Sequence, residues 1–149
     1  MTILSEQTQC QPYGALSPWQ EKIIKGNQAF QQGQLSAAKH YYQQALAITQ
    51  WVLDNTAALS ECMLSAFVIS HHNLADCYCA EHNIEAARAH LCQPYQRLNQ
   101  LAEQQIAVPN LYLHQQRARI ELMQFCQHYG PDNQTNQLLK QPASPQRYH

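Results

Sequence analysis

From Trp19 to Tyr129 the apolar residues return at steps of three and four, and that spacing commits the chain to helices. Leu35, Ala38, Tyr42, Ala45, Thr49 and Val52 form one such stripe; Leu111, Ala118, Leu122, Phe125 and Tyr129 form another. Only four glycines interrupt 149 residues, and the prolines fall mostly near the ends of the stripes, so long helices are favoured over sheets. Charged residues are 13% of the chain, about half the usual share, and polarity comes instead from 24 glutamines. Glutamine forms helices well without carrying charge, which suits the outer faces of such helices.

Punctuation between the stripes divides them into five helices. Ser17, Pro18 and Gln20 read as a capping box with proline at the first helical position. Trp19, Ile23, Gly26 or Asn27, and Phe30 then follow one face to about Gln32, where Gly33 supplies a left-handed end. The second helix begins near Leu35. Run unbroken to residue 81 it would be about 70 Å long, too long for a domain of this size. The break is expected at residues 54–56, Asp-Asn-Thr, with Ser60 as a rival start. The third helix reaches Glu81 with Leu64, Phe67, His71, Leu74 and Tyr78 inward. Asn83 caps a fourth carrying Ile84, Ala87, Leu91, Leu98 and Leu101, and Pro94 predicts a kink or early stop in it. A fifth follows Val108-Pro109-Asn110. Residues 1–16 are expected to be a loose arm and 130–149, with three prolines, a disordered tail; the helical domain is 17–129.

A formal net charge of −1 argues against a nucleic-acid binder, which needs a basic face. No stretch approaches the roughly 18 apolar residues of a membrane span. The first ten residues have neither the basic start nor the apolar run of a signal peptide, so a cytoplasmic protein is expected. The six cysteines, Cys10, Cys62, Cys77, Cys79, Cys92 and Cys126, are then expected to be reduced thiols that pack as small apolar groups.

Two segments share internal spacing. Gly26, Ala38, Tyr42 and Ala45 correspond to Ala75, Ala87, Leu91 and Pro94, with Gly33 opposite His82. Small residues at 26, 38, 75 and 87 imply close helix approach. On these residues the chain resembles the tetratricopeptide (TPR) repeat family, over about residues 19–106. It departs at Lys22 and Lys25, where the pattern has an aromatic residue and leucine, and at His71 and His82 in the second copy. The copies are also 49 residues apart rather than the usual 34, which implies longer hairpins. The expected fold is therefore all-α, antiparallel helical hairpins of TPR-like type, or the same helices closed into a compact bundle.

For chemistry, the chain has no phosphate-binding glycine loop and no nucleophile elbow, and an enzyme is not expected. Residues 71–82, HHNLADCYCAEH, are dense in ligand-capable groups. Cys77 and Cys79 point to nearly opposite sides of a helix, whereas His72, Asp76 and Cys79 share a face, with His40 or His114 available as a fourth ligand. A metal-binding or metal-sensing protein is thus one alternative, and a self-associating bundle (a homo-oligomer) another. The leading expectation comes from the resemblance, in which the first helix of each repeat lines a concave groove for a peptide or partner helix. By register that groove comprises Gln20, Ile23, Asn27 and Phe30 from the first helix and Ile69, His72, Asp76 and Cys79 from the third. Ile23 stands where a carboxylate-clamp lysine would be, so a terminal carboxylate is not the expected ligand. No cofactor is implied, and the partner is a protein or peptide rather than nucleic acid or membrane.

Overall fold

A computed structural model describes residues 17–56 and 58–141. Six helices follow one another: α1 Ser17–Gln31, α2 Leu35–Asn55, α3 Glu61–Ala80, α4 Ile84–Glu103, α5 Leu111–Tyr129 and α6 Asn133–Lys140. Consecutive helices from α1 to α5 pack most closely, α1 and α5 each touch α3 more lightly, and α6 lies against α4 and α5. The fold is all-α, a compact series of antiparallel hairpins, and no helix is long and apolar enough to cross a membrane among the described residues.

Three of the turns close in the same way. Gln34 N–H donates to the Ala29 carbonyl at 2.9 Å, Asn83 N–H to Tyr78 at 2.8 Å and Ile106 N–H to Leu101 at 3.0 Å. Before each donor stands a left-handed residue: Gly33, His82 and Gln105. This is the Schellman end, which satisfies carbonyls that a helix terminus leaves open. Gly33 and His82 are the two positions that the internal repeat places in register.

The link between α2 and α3 uses both of the expected signals. α2 ends at Asn55 with Thr56 extended behind it, and Ser60 caps α3, its hydroxyl accepting from Met63 N–H at 3.2 Å. Asn83 caps α4 through Ala86 N–H. Ser17 is the first residue of α1, but its side chain, and so the capping box read there, lies outside the described set.

Two expectations need correcting. The early stop expected at Pro94 does not occur, and α4 runs on to Glu103. Buried Leu91, Tyr95, Leu98 and Leu101 hold both sides of the proline in one packed face, and that burial outweighs the missing hydrogen bond. The stretch read as a tail from residue 130 contains α6. Asp132 Oδ1 accepts from Thr135 N–H while Thr135 Oγ1 accepts from Asp132 N–H, both at 2.8 Å, a reciprocal cap around a fully buried threonine. Arg88 on α4 donates to the Gly130 carbonyl at 2.8 Å, and Arg119 on α5 donates to the Leu139 carbonyl at 2.7 Å, so the short helix is fastened at both ends. The arm expected at 1–16 and the tail from 142 onward lie outside the described residues.

The core is richest around α3. Met63, Leu64, Ala66–His71, Asn73–Ala75 and Cys77 are all buried, so this helix is enclosed on several sides rather than along one stripe. Trp19 on α1 reaches it directly, its indole N–H donating to Ser70 Oγ at 2.7 Å, and Ser70 passes a bond to the Ala66 carbonyl. Cys77, Cys79, Cys92 and Cys126 are free thiols, while Cys62 is disulfide-bonded, so the expectation of six reduced cysteines does not hold; Cys10 lies outside the described residues.

Candidate functional site

The eight residues expected to line one groove separate into two sets. On α1, Gln20, Ile23 and Asn27 are buried and Phe30 is packed against the core. Ile23 is wholly inaccessible, and the Tyr42 hydroxyl donates to Asn27 Oδ1 inside the α1–α2 interface. Gln20, Ile23 and Asn27 are therefore taken up in packing between helices, and Phe30 is only partly buried. α1 has a single apolar face, and that face is consumed in covering α2 and α3.

The α3 set behaves differently. Ile69 is buried, but His72, Asp76 and Cys79 are half-buried on the side of α3 that looks towards α5. Because α3 and α5 touch only lightly, a cleft remains between them. Its larger hollow, about 380 Å³, is bounded by His72, Asp76 and Cys79 on α3 and by Glu121, Gln124 and Phe125 on α5, with Leu91 as floor. A second hollow of about 200 Å³ adjoins it, lined by Val68, Ile69 and His72 across from His114, Arg117 and Glu121. His72 and Glu121 belong to both.

The α5 wall is not part of the groove expected by register from α1 and α3. Arg117, Glu121 and Gln124 stand at i, i+4 and i+7, a polar line beside the buried stripe of His114, Ala118, Leu122 and Phe125. That line is visible in the sequence, but only the fold shows that it faces α3.

Burial sets the charge states. His72 is pushed down to about 4 by desolvation, so its ring is neutral near pH 7, and its Nε2 has no hydrogen-bond partner among the described residues. Burial raises the Glu121 carboxyl, and the neighbouring Asp76 raises it further. The Cys79 thiol is raised chiefly by burial, partly offset by a hydrogen bond with Tyr129, and Cys77 is pushed up to about 12. Thiols raised in this way stay protonated and are weak nucleophiles. Among the described residues no three His, Cys, Asp or Glu side chains are placed to hold a metal ion. Of the two suggested fourth ligands, His114 instead meets Glu61 at 3.2 Å and His40 lies edge-on to Tyr41. The cleft thus brings together an apolar floor, a neutral ring, two neighbouring carboxylates and one guanidinium.

Residues 17–146 match the profile of a family described as protein of unknown function, DUF2753, and the chain belongs to that family. No match is found among curated proteins or among solved structures.

Proposed function

We propose that this DUF2753 chain is a non-catalytic helical scaffold that holds an extended peptide or a partner helix in the cleft between α3 and α5. The observation carrying this reading is the continuity of the two hollows through His72 and Glu121. From Ser65 to Cys79 the cleft follows α3 for roughly 21 Å at 1.5 Å per residue, enough for about six residues of extended chain. The tetratricopeptide resemblance supports the same placement, since in that family the first helix of each hairpin meets the ligand. Apolar Val68, Leu91 and Phe125 would take side chains, while Asp76, Glu121 and Arg117 would fix direction by hydrogen bonds.

The cytoplasm is the compartment we propose. Three of the four free thiols are buried in the core, which suits a reducing environment. The disulfide at Cys62 pulls the other way. A free-thiol count on protein alkylated at the moment of lysis decides between them.

Panning a displayed library of short peptides against the whole chain tests the binding reading. Selected peptides are expected to shift the amide resonances of Ile69, His72, Asp76 and Gln124, and to bind at least tenfold more weakly to Asp76→Ala. The control Lys39→Ala, at a half-buried lysine that pairs with Glu81 and lines neither hollow, should bind normally. Peptides that bind a folded Asp76→Ala protein unchanged, or that shift only residues outside the cleft, would sink the proposal.

A further inference from the structure

Beyond its buried stripe, α5 carries a second apolar face. Leu113, Ile120 and Met123 are 52%, 49% and 38% exposed, with Tyr112 beside them. These four are among only seven large hydrophobics exposed in the described residues, so the apolar surface is concentrated on one side of one helix. Concentration of this kind marks an interaction surface.

The charges beside the stripe identify what covers it. Arg117 and Glu121, one helical turn apart, both flank it on the edge towards the cleft mouth. Among the described residues neither forms an ion pair within the chain. When two identical helices cross antiparallel about a two-fold axis, each flank meets its own copy. Arg117 of one chain then stands opposite Glu121 of the other, and the pairing is made twice. An unrelated partner of one charge sign would satisfy one of these groups and repel the other.

We propose that the outer face of α5 is a homodimer interface, in which α5 packs antiparallel against α5 of a second copy with Leu113, Ile120 and Met123 at its centre. A contact built on one 19-residue helix, about 28 Å long, falls at the small end of specific interfaces, so the dimer is concentration-dependent. This inference does not rest on the cleft binding a peptide.

Sedimentation equilibrium of the full chain in reductant, from micromolar to sub-millimolar concentration, tests it. The weight-average mass is expected to climb from one chain towards two. Ile120→Glu should stay at one chain throughout with unchanged helical circular dichroism. Arg117→Glu should weaken association roughly tenfold, and the swap Arg117→Glu/Glu121→Arg should restore it. Trp51→Ser, which removes the most exposed apolar side chain elsewhere, should associate as the parent does. A parent chain of single mass at the highest concentration overturns the proposal and leaves the face to another occupant. So does a folded Ile120→Glu protein that dimerises normally, or a swap that fails to restore association.

Discussion

Gly26 and Tyr42 show how a single methyl group would propagate through the hairpin of α1 and α2. A Cβ at position 26 would fall on the Tyr42 ring, which is fully buried and hydrogen-bonded to Asn27, and so cannot swing aside. Alanine would gain about 1 kcal/mol in helix propensity and lose more to overpacking, which typically runs ~1–3 kcal/mol. Gly26→Ala is therefore expected to lower the melting temperature, and Tyr42→Phe/Gly26→Ala not to recover it, because the clash is with ring carbons rather than the hydroxyl. His71 is the other residue whose surroundings dictate a measurable property. Its ring is fully buried, edge-on to Phe67, with Nδ1 3.0 Å from Nδ1 of His90, which stacks on Tyr78. Burial first, then the neighbouring histidines, push His71 from 6.5 down to about 3. The unfolded chain takes up a proton below pH 6.5 that the folded chain refuses, so unfolding binds protons and stability falls as pH drops. The loss amounts to about 1.4 kcal/mol per pH unit for this group between its unfolded and folded values. Melting temperatures should decline steeply from pH 6.5 to pH 4, and His71→Gln should show a shallower decline even if it starts lower.

At the scale of elements, the Schellman ends make a contrast between copies of the same turn. Gly33 adopts its positive φ freely, whereas His82 and Gln105 hold the same conformation with a Cβ, which is sterically unfavourable by roughly 1–2 kcal/mol. His82→Gly is expected to stabilise the chain by up to about 1 kcal/mol, part of the gain being offset by the greater freedom of glycine when unfolded. A chemical denaturation midpoint that falls instead would show that the His82 ring contributes more than its backbone strain. α6 depends on its cap. Removing the Asp132 carboxylate takes away the bond to Thr135 N–H and the contact 3.5 Å from Arg88. The Thr135 backbone bond holds the Asp132 carboxyl below its usual range, so this support is present at neutral pH and lost only as the solution becomes strongly acidic. Asp132→Ala should cost about 1 kcal/mol, read as faster amide exchange confined to Asn133–Lys140.

For the whole molecule, thiol protection reports on the cooperativity of the core. Cys77 is buried on α3, Cys92 and Cys126 are buried close to each other on α4 and α5, and Cys79 alone of the four free thiols is half-exposed. Under native conditions a thiol reagent should modify Cys79 slowly, because burial raises its thiol, and reach the other three only at the rate of global opening. A Cys79→Ser chain should then lack the early phase. Early labelling of Cys92 or Cys126 would show that α4–α5 opens without the remainder.

Helix content, the turn at Gly33, the cap at Asn83 and the span of α5 were all legible from residues alone, because each rests on local spacing and local hydrogen bonds. So was the companionship of His72, Asp76 and Cys79, which helical geometry enforces wherever the helix lies. The passage of α4 through Pro94 and the existence of α6 were not. A buried flank on both sides of the proline outweighs one lost bond, and an eight-residue helix has too few turns to show a period. The candidate site divides along the same line. A stripe of Trp19, Ile23, Asn27 and Phe30 states that α1 has one apolar face, but not whether that face meets solvent, ligand or protein. Packing against α2 and α3 decided that it is core, and left the polar edge of α3 to meet α5 across a cleft. Periodicity is a property of one helix; which faces remain uncovered depends on how all of them are stacked.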